Sequence, residues 1–448
     1  MEFDEKFEIL LPKILELVVP DEDEVRKGNL AKKELENRVV DVLKDYPELE
    51  YRFLGSFPRN TWLKGNLELD LFILFPENFS EKDLERIGLE IGKRLLDSWE
   101  ARYASHPYIH GTVMGVEVDV VPCYKLKSAE KIKSAVDRTP FHHDWVYERL
   151  KGKENDVRIL KGFLKANGIY GAEYQVRGFS GYLCELLIIH YGSFKELVKR
   201  AINWRRGLKI EVGGNEGFER NHVLFVVDPV DSKRNVSANL SLDNFAKFVE
   251  ICRDFYSSPK IEFFIKKEID PEIAKSRVEK EMDRRGTTIF SLIFRKPDIV
   301  EDNLYTQLEK ARKKLFEVLE DQDFMPLNSG YTVTEDSCIL IFETQVSRLS
   351  SIRKIIGPPF EDWKNVRKFR EKRKDYSAFI ENGRYCSFAT REHVKPEEAV
   401  MDYIRKHPKS LGKNISEEIV NCRLLSGREI LEIEGIAPFL FEFFKLSP

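Results

Sequence analysis

A chain of 448 residues has room for about three domains. Its 42% hydrophobic content is enough for several cores, and a formal net charge of -3 excludes a globally basic nucleic-acid binder, so any RNA contact has to come from local patches. No apolar run reaches membrane-spanning length. The acidic start MEFDEKFEIL lacks the charge pattern of a signal peptide. The scattered cysteines form no CxxC pair and read as reduced thiols of a cytoplasmic protein.

In chain order, apolar spacing predicts helices over 7–19 and 23–46. Strands follow at 51–54, 67–75 and 113–121, with a helix between 80 and 96 that Ser80 and Asp83 would cap. The stretch GSFPRNTWLKGNLELD, from Gly55 to Asp70, stands out. It opens on a Gly-Ser pair between an apolar run and a predicted helix, and it ends on Glu68 and Asp70 in a second apolar strand. Side chains at i and i+2 of a strand share a face. Two carboxylates held side by side repel, so at least one resists ionisation. A divalent cation between them resolves this, and magnesium favours carboxylates combined with substrate phosphates. That points to nucleotide chemistry. A third carboxylate, Asp119, lies between Val118 and Val120 in the apolar strand GVEVDVVPCY. Burying it alone would be costly. Three carboxylates from two strands are able to hold two metals, which suits attack by a hydroxyl and departure of pyrophosphate. Glu117 shares the face of Asp119 and is a spare ligand. A polar face on an exposed edge strand accounts for an isolated Glu-x-Asp better than it accounts for all three acids after a Gly-Ser turn.

From 142 to about 259 the pattern turns helical: an amphipathic segment at 154–166, a buried helix in GFSGYLCELLIIHYG, and another helix from about 241. The Gly-rich segment 209–219 reads as a hairpin or loop, and DPVDSKRNVSANLSLDN begins with a loop. A strand at 288–294, a helix at 303–320 and strands at 324–334 and 338–343 give a β-α-β-β order like half of a ferredoxin-like or RNA-recognition sheet. A basic helix, VRKFREKRKDY, lies beyond Trp363. The expected class is α+β and multidomain, with domains at 1–139, 140–259 and 260–448.

These motifs carry a family resemblance. The first unit resembles the nucleotidyltransferase head of the DNA polymerase beta superfamily. The whole chain resembles the archaeal-type, class I CCA-adding enzymes (tRNA nucleotidyltransferases) through GSFPRNTWLKGNLELDLF, HPYIHG, GVEVDVVPCYKL, SAVDRTPFHH, GKENDVRILKGFLKANGIYGAEYQVRGFSGYLCELL, DPVDSKRNVSANLSLDN and RKPDIVEDNLY. The resemblance implies a catalytic head with a mixed sheet, a helical neck that completes the nucleotide site, and an α+β, ferredoxin- or RRM-like body with a tail that binds tRNA. It implies that Glu68, Asp70 and Asp119 hold two Mg2+ ions and that Asp119 helps activate the tRNA 3′-hydroxyl. Ser56 and Arg59 would hold the triphosphate of CTP or ATP. His142, Lys161 and Tyr170 would complete the nucleotide site, and Arg234 would face the base edge. It further implies contact with the acceptor stem and T loop of tRNA, and a homodimer.

Taken singly, several of these residues have plainer readings. Arg59 suits a surface charge as well as a phosphate ligand. Lys161 and Tyr170 fit a helix surface and a core, and Arg234 fits a solvated loop. His142 and His143 are adjacent, which is poor spacing for joint metal ligation on a helix. Basic stretches at 199–209, Arg295–Lys296 and 367–374 are candidates for RNA phosphates, although each taken alone reads first as a solvated helix face. Two other functions share the head: a poly(A)- or oligoadenylate-type polymerase using ATP alone, and a noncatalytic RNA-binding protein on a relic head. The intact acids argue against the relic.

Overall fold

The structure is a computed structural model that describes residues 2–103, 107–212, 222–372 and 375–446. The chain forms two compact units, Met1–Lys267 and Glu268–Pro448.

The first unit begins with helices α1 (Phe3–Val18) and α2 (Glu22–Val42). Strands β1 (Glu50–Leu54), β2 (Glu68–Phe75), β3 (Ser98–Tyr103), β4 (Pro107–Val113) and β5 (Val116–Tyr124) form one mixed sheet in the order β1-β2-β5-β4-β3. Helix α3 (Glu81–Leu95) lies between β2 and β3 in the chain and starts at the expected cap, where Ser80 accepts from the Asp83 N–H. Alternation along β2 divides the sheet's two faces. Leu69, Leu71 and Ile73 pack with Leu35 of α2 and Ile91 of α3. Phe72 and Leu74, on the other face with Glu68 and Asp70, pack with Leu54 and Cys123. The acids thus occupy the end of β2 on the face away from the helices.

Helices α4 (Thr139–Arg149), α5 (Glu154–Ala166), α6 (Gly181–Tyr191), α7 (Phe194–Ala201) and α8 (Leu242–Ser257) follow. Phe163, Phe194 and Phe255 meet in their core, and Phe3, Phe7, Ile14 and Val18 of α1 join it. The N-terminal helix, expected with the sheet, therefore packs with the later helices, because its apolar stripe completes their aromatic core. The region is also less purely helical than its periodicity predicts. Strands β6 (Leu208–Glu211), β7 (Leu224–Asp228) and β8 (Asp231–Asn235) form a small sheet. The expected loop in DPVDSKRN is in fact a hairpin from β7 to β8. Asp228 makes its tight turn by accepting from the Val230 N–H at 3.1 Å. The Gly-rich segment expected at 209–219 starts as strand β6, and its portion from 213 onward lies outside the described residues.

The second unit opens with α9 (Pro271–Arg285), β9 (Thr288–Arg295), α10 (Glu301–Asp321), β10 (Pro326–Val333) and β11 (Ser337–Thr344). Strand β12 (Ile352–Pro359), helix α11 (Trp363–Glu371) and strands β13 (Phe379–Glu381) and β14 (Arg384–Thr390) come next. Helices α12 (Pro396–Lys406), α13 (Pro408–Leu411) and α14 (Ser416–Val420), strand β15 (Arg423–Ser426) and helix α15 (Ile436–Phe443) complete it. The order β10-β11-β9-β15, antiparallel throughout, is that of a full ferredoxin-like sheet. Its fourth strand comes from the C-terminal segment, after a second sheet, β12-β14-β13, inserted in the chain.

Candidate active site

Strands β2 and β5 pair in parallel, with Glu68 beside Glu117 and Asp70 beside Asp119. On the other side of β5, Asp119 pairs with His110 of β4, whose Nδ1 lies 2.7 Å from Asp119 Oδ1. Ligand atoms of Glu68, His110 and Asp119 all lie within 4.8 Å of one another. His110 was missed from sequence, although HPYIHG alternates as a strand and places it on the site's face.

The acids are electrostatically strained. Burial first, then the charges of Glu68 and Asp119, pushes Asp70 up to about 7. Burial and the neighbouring carboxylates also raise Glu68, and burial raises Asp119 against the opposing pull of His110. The donor set is oxygen-rich and bears excess negative charge, so it fits a hard divalent cation.

Gly55, with φ +76°, makes the turn that faces these acids. A Cβ there would fall 1.7 Å from Asp70 Oδ2, so only glycine admits the carboxylate. The helix expected after Gly55-Ser56 is absent. Residues 56–60 form successive turns, with Asn60 at φ +56° and the Thr61 N–H donating to Ser56 O at 2.9 Å. Tertiary hydrogen bonds hold the far end of these turns. Arg158 of α5 donates to Trp62 O at 3.0 Å and to Asn60 Oδ1 at 2.6 Å, and Lys161 donates to Thr61 O at 2.9 Å. Ser56, half-buried after Gly55, therefore does not stand at a helix N-terminus.

Beneath this loop, Arg59 Nε donates to Glu185 Oε1 at 2.9 Å and its Nη1 donates to His143 Nδ1 at 3.2 Å. Thr61 Oγ1 donates to the same Glu185 oxygen at 2.8 Å. Burial opposes the charge on Glu185, but Arg59 and Lys161 outweigh it and keep the carboxylate ionised. Its Oε2 is buried with no hydrogen-bond partner among the described residues. Burial pushes Lys161 down, against the pull of Glu185. Burial and Arg59 push His143 down to about 4, leaving a neutral ring that accepts from Arg59. Gly181 leaves room for Tyr170 and Lys161: a Cβ there would lie 3.1 Å from the Tyr170 hydroxyl and 3.6 Å from Lys161 Cε. Glu185 was also missed. Its signal was a lone acid in the apolar run GYLCELLIIHY, which requires a cationic partner if buried.

The adjacent histidines divide the remaining tasks. His143 turns to Arg59, whereas His142 Nε2 lies 2.8 Å from Asp228 Oδ2. Arg234 of β8 donates to the same oxygen at 2.8 Å, and the Tyr182 hydroxyl donates to Oδ1 at 3.1 Å. Burial raises Asp228, but His142 and Arg234 hold its carboxyl below the usual range. The structure thus groups Glu68, Asp70 and Asp119 on one sheet, Arg59 and Lys161 around Glu185, and His142 and Arg234 around Asp228. The first two groups communicate, because Arg59 and Lys161 both favour ionised Asp70. Of the basic stretches, Lys199 is tied to Asp4 and Glu196, and Lys209 to Glu211. Arg373 and Lys374 lie outside the described residues.

A mixed sheet with acids at a parallel strand pair, faced by a Gly-Ser turn, defines a nucleotidyltransferase, and residues 32–142 match the nucleotidyltransferase domain family. Residues 155–265 match the second domain of tRNA nucleotidyltransferase, and 285–427 match the C-terminal domain of the CCA-adding enzyme. The CCA-adding enzyme of Archaeoglobus fulgidus is 56% identical over 95% of this chain and 96% of its own length. Those of Methanocaldococcus jannaschii and Methanosarcina barkeri are 39% and 37% identical, over 86% and 94% of this chain and 88% and 93% of their own lengths. The chain belongs to the CCA-adding enzyme family.

Proposed function

We propose that this enzyme adds and repairs the 3′-terminal CCA of tRNA without a nucleic-acid template, using CTP and ATP and releasing pyrophosphate. Membership of the CCA-adding family along nearly the whole chain carries this reading. The register of Asp70 beside Asp119 supports it chemically.

In this reading Glu68, Asp70 and Asp119 hold two Mg2+ ions, which when bound lower the pKa of the attacking hydroxyl and neutralise the leaving pyrophosphate. Asp119 orients the 3′-hydroxyl for in-line attack on the α-phosphate. Ser56 and Arg59 meet the triphosphate; His142, Lys161 and Tyr170 complete the nucleotide site. Arg234 faces the base. A guanidinium only donates. Cytosine and adenine present an acceptor ring nitrogen on their pairing edge, whereas uracil and guanine present an N–H there. A guanidinium fixed opposite that ring nitrogen therefore accepts the first two and rejects the others.

The same reading assigns 1–139 as catalytic head, 140–259 as neck and 260–448 as tRNA-binding body and tail, gripping the acceptor stem and T loop. It places the enzyme in the cytoplasm, as a homodimer. The free state of all six cysteines fits a reducing compartment.

Incubation of the enzyme with tRNA lacking CCA, and with labelled CTP and ATP separately and together, tests the function. Two C residues without ATP, then a single A when both nucleotides are present, are expected. Growth of an A-only tail would establish the poly(A)-type alternative. Asp119→Ala is expected to abolish transfer while tRNA affinity, measured by filter binding, persists; wild-type turnover in that variant would remove Asp119 from the site.

A further inference from the structure

Asp228 is the last residue of β7 and has no accessible surface. An ionised carboxylate has about four acceptor positions, and all four are engaged. Oδ2 meets His142 Nε2 and Arg234 Nη1, each at 2.8 Å; Oδ1 accepts from the Tyr182 hydroxyl and the Val230 N–H, each at 3.1 Å. The His142 and Tyr182 rings stack at 4.1 Å, so these partners are also fixed against each other. A single buried acid thereby joins α4, α6 and β8.

Arg234 is the partner with freedom to act elsewhere. Its side chain is 35% exposed. It lines a cavity of about 1160 Å³ together with Arg138, Lys233 and Asn239. One of its donors is committed to Asp228, leaving the rest of a planar fork for a ligand in that cavity. A long side chain tethered at one nitrogen offers its remaining donors in a restricted set of directions. The hairpin β7–β8 supplies both tether and tethered residue, so the pair is set by local backbone geometry.

We propose that Asp228 is a specificity-positioning residue: by anchoring Arg234, with His142 and Tyr182 holding the carboxylate in place, it fixes the donors that select cytosine and adenine over uracil and guanine. This deepens the function proposed above and rests on it. Asp228 touches no substrate. Its effect belongs to base choice, because Arg59, the cation assigned to the triphosphate, is held by a different acid, Glu185.

Asp228→Asn keeps the shape but replaces two acceptor positions by an N–H2 group. Either Arg234 and His142 or Tyr182 and the Val230 N–H then face a donor. The test measures kcat/KM for CTP and UTP on tRNA ending in C74, and for ATP and GTP on tRNA ending in C75, in the full-length enzyme. The expected result is a fall of about tenfold or more in both preference ratios, the scale of one lost bidentate base contact. Equal loss for all four nucleotides, with both ratios intact, would mark Asp228 as merely structural and overturn the inference. Should Asp228→Asn not fold, Tyr182→Phe decides by the same ratios: a fall of a few fold supports anchoring, and unchanged ratios overturn it. A wild-type enzyme without preference for CTP and ATP would sink the proposed function together with this inference, whereas a wild-type preference retained by the variants sinks the inference alone.

Discussion

The proton affinity of Asp70 is a direct readout of how the acids are held. Its folded pKa of about 7 lies above the unfolded value of roughly 3.9, so between those pH values the folded state binds more protons. Its contribution to stability is fully present below the unfolded pKa and is lost as pH rises through the folded one. Calorimetry in chelator is expected to show wild type losing melting temperature relative to Asp70→Asn between pH 5 and pH 8. Added Mg2+ should recover much of that loss, because it neutralises the same charge; a parallel pH response of the two proteins without metal would refute it. Glu185 presents the opposite situation, a buried acid balanced by two buried cations. Removing one partner of a buried pair costs about 3–5 kcal/mol because the other charge is left uncompensated. Glu185→Ala is therefore expected to lose stability on that scale in urea unfolding, and to bind both CTP and ATP more weakly as Arg59 loses its anchor.

At the scale of elements, the register between β2 and β5 makes the site. A slip of one residue would turn every side chain of the slipped strand to the other sheet face, separating Asp70 from Asp119. The apolar residues Leu69, Leu71, Val118 and Val120 oppose that slip, because all four are fully buried. Helix α6 has a comparable role, since it carries both Tyr182 and Glu185 to their separate partners. Its first turn is fixed by the Ser180 side chain, which accepts from the Leu183 N–H at 3.1 Å. Ser180→Ala is expected to cost about 0.5–2 kcal/mol, and Ser180→Gly only a few tenths. Equal losses in the two variants, by chemical denaturation, would exclude a capping role.

At the scale of the molecule, the aromatic core around Phe163 and the sheet core around Leu71 draw all their residues from the first unit. The cores around Leu308 and Phe441 draw theirs from the second. Each unit therefore has the buried apolar surface a domain needs. A fragment ending at Lys267 is expected to melt cooperatively and to bind nucleotide with magnesium, while losing most of its affinity for tRNA. Failure to fold, seen by near-ultraviolet circular dichroism, would refute its independence; full tRNA affinity would refute the role proposed for the second unit.

The amino-acid sequence by itself determined the strands and the acids they carry, because alternation with period two and the cost of burying a carboxylate are local properties of β2 and β5. It also determined family membership, through motifs spread along the chain. The tertiary structure alone decided what stands behind those motifs. The segment after Ser56 forms turns instead of a helix, and its far end at Asn60, Thr61 and Trp62 is held by Arg158 and Lys161, about a hundred residues away. The C-terminal strand β15 joins β9 across an inserted sheet, a pairing that no local pattern encodes. His110, Glu185 and Asp228 acquire their partners only through folding, since a polar or ionisable group taken out of water needs a group that satisfies it.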